Sequence, residues 1–155
     1  MRRFWCAVLG TFLCLAPSWG QSAGTGDDVV IDGILKQKNI SWGNASWLVG
    51  RAVETIGEGL SPSDAAAKAA AAGWGPAGLS PEARLNLKSY SLMLVKAFSL
   101  PTGLMYKLFP GPRYAFRELV FRRILPPTLP PDGTLSGEAA MRYLQAVQDW
   151  KDGQR

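Results

Sequence analysis

Apolar residues along this chain recur at spacings of three and four, separated by short polar stretches rich in Gly, Pro and Ser. That period marks one face of a helix. Three stretches carry it in the same register. Residues 40–53 bring Ala45, Leu48, Val49 and Ala52 to one face; residues 85–98 bring Tyr90, Met93, Leu94 and Ala97; residues 135–148 bring Ala140, Tyr143, Leu144 and Val147. Each stretch opens with an aliphatic residue followed by one that caps a helix, namely Ser41, Asn86 and Ser136. The matched stripes predict that Leu48, Leu94 and Leu144 share one core.

Further helices are expected between them. Residues 27–38 begin with acidic side chains and continue with Val29, Val30, Ile31, Ile34 and Leu35. Ser61 caps a helix with Pro62 at its first position and Asp64 near its positive end, and an alanine run carries it to Gly73. Residues 113–125 form another, closed by Pro126 and Pro127, and residues 136–150 the last. Alternating patterns are scarce, so extended pairing is expected only near residues 75–79 and 128–135. The expected fold is mostly α, a tandem arrangement of helix, loop and capped helix in about three units, with short extended loop segments.

The beginning of the chain follows a different logic. Arg2 and Arg3 precede a charge-free apolar run from Phe4 to Ala16, and Pro17 and the small residues Ser18 and Gly20 follow. The run is shorter than the ~20 residues that cross a bilayer. Residues 1–20 therefore read as a secretory signal peptide cleaved after Gly20 or nearby. The expected organisation is then an N-terminal extension at residues 21–37, a repeat domain at 38–150 and a polar tail at 151–155. An exported protein of the periplasm or cell surface follows, with no membrane-spanning segment in its mature form.

Composition narrows the chemistry. The chain has no His, so no Ser-His or Cys-His nucleophile and no zinc site of the usual kind is available. Both Cys residues, Cys6 and Cys14, lie in the leader, and the mature chain must fold on apolar packing without a disulfide. Carboxylates are scattered over helix starts and ends, where they serve caps and dipoles. No metal, cofactor or catalytic group is expected. Lys and Arg outnumber Asp and Glu by 17 to 12, a mild excess that does not favour nucleic acid in an exported protein.

The arrangement resembles the S-layer homology domain, over roughly residues 38–150. The most specific points are the turn Pro131-Asp132-Gly133-Thr134 before the third capped helix, and the endings Val49 to Val53 and Leu94 to Phe98. The resemblance implies attachment to an anionic cell-wall glycan, held in that family by the Arg of a Thr-Arg-Ala-Glu-like motif. The corresponding positions here read Ser41-Trp42-Gly43-Asn44, Asn86-Leu87-Lys88-Ser89 and Ser136-Gly137-Glu138-Ala139. The cap is kept in all three and the Arg in none; Lys88 stands one position later.

Candidate binding residues follow from these patterns. Lys88 and the basic cluster Arg113, Arg117, Arg122 and Arg123 offer charge to a cell-wall polysaccharide or peptidoglycan-linked glycan. The alternative for the cluster is a solvated helix face with Glu118 and Asp149 as partners. Trp42 and Trp74, with Trp47 and Trp150, offer indole faces to sugar rings, or else line the core. The apolar segment 100–112, with Met105, Tyr106, Leu108 and Phe109, either plugs the space between units or docks a larger envelope protein. Plugging is the expectation. The expected function is that of an exported, non-enzymatic envelope-binding module, attached to an anionic glycan or, alternatively, assembled on a protein through residues 100–112.

Overall fold

A computed structural model describes residues 26–57, 59–76 and 78–154. The signal-peptide reading of residues 1–20 lies outside them. The described residues form seven helices: α1 (Gly26–Leu35), α2 (Trp42–Ala52), α3 (Pro62–Ala71), α4 (Leu87–Ala97), α5 (Leu104–Leu108), α6 (Pro112–Phe121) and α7 (Gly137–Asp152). The mostly α expectation holds.

The helix starts are set by the residues that the sequence singles out. Ser41 Oγ accepts the amide of Asn44 at 3.3 Å, Asn86 Oδ1 that of Ser89 at 3.0 Å, and Ser136 Oγ that of Ala139 at 3.2 Å. Each capping side chain satisfies an amide that has no partner within its own helix. Ser61 does the same for α3 through Asp64, with Pro62 in the first turn. The helix ends are also alike. Past α2, α4 and α6 the backbone turns left-handed at Glu54, Ser99 and Arg123, with φ of 57°, 50° and 60°, and past α3 it does so at Gly73. Ser99 N–H then donates to Lys96 O and Leu100 N–H to Val95 O, which closes the last turn of α4. The same turn at Arg123 ends α6 at Phe121, short of the expected residue 125.

Three helix starts are joined to one another in a ring. Ile40 N–H donates to Leu135 O and Leu85 N–H donates to Ile40 O. Trp42 N–H donates to Ala83 O, Leu87 N–H to Gly133 O, and Gly137 N–H to Gln37 O. Single β-bridges pair Ser41 with Arg84 and Asn86 with Thr134. Extended pairing thus reaches Thr134 as expected, but residues 75–79 make none among those described. Those backbone bonds hold the beginnings of α2, α4 and α7 together, and each of the three helices touches the other two.

Behind this trio, α3 packs on α2, α6 on α4 and α1 on α7. Leu48, Leu94 and Leu144 are all buried, with Val49, Tyr90, Met93, Ala140 and Val147 around them. The stripes therefore face one common core, as their spacing requires. Tyr90 bridges two helices, its hydroxyl donating to Ala140 O at 2.8 Å. Gly137 is where α1 and α7 meet most closely, since a β-carbon there would collide with the Ile34 carbonyl. Ile34 is itself buried, so the segment before residue 38 belongs to the helical body through α1. At the other end α7 continues to Asp152, and the expected polar tail is partly its last turn.

Candidate functional site

The segment 100–112 does not plug the core. Leu100 and Tyr106 turn inward, but Leu104, Met105, Leu108 and Phe109 are 58–69% exposed. Phe121, on the last turn of α6, is 85% exposed beside them. The expected plug is instead an outward-facing apolar surface. Two contacts fix its shape. Glu118 Oε1 accepts the Gly103 amide at 2.9 Å, which ties the start of α5 to α6. Phe109 stacks on Tyr114, with ring centroids 6.1 Å apart and planes 25° from parallel. Proline at positions 101, 110 and 112 limits how the connecting backbone can rotate. Tyr106 is buried, and it anchors α5 rather than offering a contact; burial raises the pKa of its phenol above the usual value.

The basic residues separate into two groups. Arg122 faces inward: its guanidinium donates to Pro101 O, pairs with Glu118 at 3.8 Å and lies 4.6 Å above the Trp150 ring. Its charge is occupied in joining α6 to the segment ahead of α5 and to α7, which removes it as a ligand contact. Glu118 is thus a partner of the basic cluster, as the solvated-face reading allowed. Arg113, Arg117 and Arg123 remain exposed, with Lys107 on α5, and none forms an ion pair among the described residues. Arg113, Arg117 and Phe121 recur every four residues, so they share one outward face of α6.

Arg117, Met105, Tyr114 and Phe121 line a shallow depression of about 570 Å³ between α5 and α6. Apolar groups and the unpaired cation Arg117 therefore share one surface. Leu104 and Leu108 fall within the segment 100–112 that the sequence singles out, whereas Phe121 was not among the candidates. The signal for Phe121 is its place in the 113, 117, 121 spacing; on a helix whose buried side is Ala115, Phe116 and Leu119, that spacing must point outward.

Lys88 lies apart from this face. It forms an ion pair with Asp132, and its amide donates to Pro131 O at 2.8 Å. Lys88, Arg113, Pro131 and Asp132 surround a depression of about 350 Å³. Two of the proposed glycan contacts are thus brought together, although Asp132 offsets one of the charges. Trp42 and Trp74 are only 1% and 7% exposed, and neither presents a ring to solvent. Trp42 lies against Gly75, where a side chain would collide with the indole. Trp47 is buried too, its indole N–H donating to Leu60 O at 2.9 Å. These three indoles hold the core and its loops and offer no stacking platform, while the half-buried Trp150 lies under Arg122.

A third opening, of about 620 Å³, lies where α2, α4 and α7 end. It is walled by Val53, Phe98, Ser99, Gln145, Gln148 and Asp149 among others. The endings at residues 49–53 and 94–98, which support the resemblance, form part of this wall. Lys151 reaches across it, 5.6 Å from the Phe98 ring centre and donating to Phe98 O at 3.4 Å. Among the described residues no group of His, Cys, Asp and Glu has a metal-binding arrangement, and no helix is long and apolar enough to cross a membrane. Compared with protein-family models, with curated proteins and with solved structures, the chain finds no match.

Proposed function

We propose that the chain is an exported, non-enzymatic binding module of a bacterial envelope, built from three helix–loop–capped helix units like those of S-layer homology domains. Its working surface is the α5–α6 face. The ring of backbone bonds joining the starts of α2, α4 and α7 supports the repeat reading, because equivalent residues make equivalent bonds: Trp42 to Ala83 and Leu87 to Gly133. The observation that carries the binding role is the exposure of Leu104, Met105, Leu108 and Phe109 in and just after α5 and of Phe121 on α6, with Met105 and Phe121 lining one depression. A patch of this kind, held rigid by Glu118 and Tyr114, is costly to leave in water and marks a surface that is covered in use. This puts envelope assembly through the apolar segment ahead of glycan attachment.

The glycan reading keeps one specific support, the depression shared by Lys88 and Arg113. Binding to purified envelope fragments separates the two. On the assembly reading, joint replacement of Met105 and Phe109 by Ser weakens binding by at least about tenfold, since each buried side chain contributes roughly 1.5–3 kcal/mol. Replacing Lys88 by Gln then has little effect. Loss of binding with Lys88→Gln, and survival with the Met105 and Phe109 changes, would contradict the assembly reading and favour a glycan.

A further inference from the structure

We infer that the occupant of the α5–α6 face is the surface of an anionic lipid bilayer. This deepens, and rests on, the assignment of that face as the working surface. Leu104, Met105, Leu108, Phe109 and Phe121 enter the region where headgroups meet acyl chains. Lys107, Arg113, Arg117 and Arg123 lie against lipid phosphates around them.

Charge is the first ground. Residues 100–125 contain one carboxylate, Glu118, and it is occupied by Arg122 and the Gly103 amide. Lys107, Arg117 and Arg123 are left without an acidic partner on this surface, and Arg113 stands at its border, in the depression that it shares with Asp132. The occupant must therefore be anionic. A second copy of the chain would set these cations against their own counterparts, and like charges brought into a desolvated interface repel.

The second ground is the kind of contact on offer. Around α5, Lys107 N–H donates to Gly103 O at 3.2 Å and Phe109 N–H to Met105 O at 3.0 Å. Gly103 N–H is taken by Glu118. Apart from its cations, the exposed crest presents aliphatic and aromatic side chains. An apolar crest with long cationic side chains at its border fits the headgroup boundary, into which such elements sink by about 5–10 Å. Lys and Arg stems reach along the apolar layer while their charges stay at phosphate level. No spanning helix is required for this mode.

Co-sedimentation with vesicles tests the inference, using the protein in the form recovered from the envelope. Vesicles of equal parts phosphatidylglycerol and phosphatidylcholine should bind it, and phosphatidylcholine alone should bind it far less. Phe121→Ser and Phe109→Ser should each weaken binding by about tenfold. Arg117→Gln should weaken it by about fivefold, the effect of one cation close to an anionic surface. Phe121 and Arg117 are exposed, so their variants fold as the parent does; Phe109→Ser also removes the stack on Tyr114, so Phe121→Ser decides the test. Failure to bind the anionic vesicles, or equal binding by the Phe121→Ser variant, would overturn the lipid assignment. If those same variants still lose binding to native envelope fragments, the face stands and its partner is a protein. If they lose neither, the face assignment falls as well.

Discussion

Tyr90 shows how a single side chain links the helices of the core. It lies on α4, is fully enclosed, and donates its phenolic proton to a carbonyl of α7. Enclosure disfavours the phenolate and pushes the pKa well above the usual value of about 10. The unfolded chain releases this proton near pH 10 while the folded protein retains it. Stability contributed by Tyr90 is therefore complete below that pH and declines as pH rises beyond it. Denaturant titrations between about pH 9 and pH 11 should show a steeper loss for the parent than for Tyr90→Phe. Equal slopes would mean that the phenol is not enclosed. At this scale the sequence was legible where a residue has one common use, as with the capping Ser41, Asn86 and Ser136. It was ambiguous for Trp42, Trp74 and Arg122. An indole or a guanidinium suits either a ligand or a core contact, and only the tertiary fold decides which neighbour, Gly75 or Trp150, it meets.

At the scale of elements, the helices with a strong apolar stripe were legible and the weaker ones were not. α5 spans five residues, too few to show a period, and its prolines and glycines read as a loop. The end of α6 was also misplaced, because Arg123 takes a left-handed conformation that usually calls for Gly. α1 owes its place to α7 rather than to its own sequence. Gly137 lets the start of α7 approach α1 closely enough for its amide to reach Gln37 O. Gly137→Ala should force the two helices apart and cost about 1–3 kcal/mol, as overpacking does. Exchange of the Ile34 region should quicken at the same time. A variant as stable as the parent, with unchanged exchange, would contradict the close approach.

At the scale of the whole molecule, three capped helices surround one core and three further helices support them from behind. Leu94 lies at its centre, fully enclosed, and Leu94→Ala should lower stability by about 2–5 kcal/mol in denaturant titration. A loss below about 0.5 kcal/mol would place Leu94 on the surface and break the shared register. The core positions could be read from periodicity because burial imposes it. The α5–α6 face could not, because its apolar residues carry the same composition as a plug, and only the anchoring of Gly103 by Glu118 and of Phe109 by Tyr114 turns them outward. Whether that face is the working surface is tested most directly by amide hydrogen exchange, measured with and without purified envelope fragments. Exchange should slow over residues 104–109 and 113–123 and stay unchanged around Val53, Ser99 and Gln145. Slowing at those three residues, with 104–123 unaffected, would contradict the account and move the working surface to the opening at the ends of α2, α4 and α7.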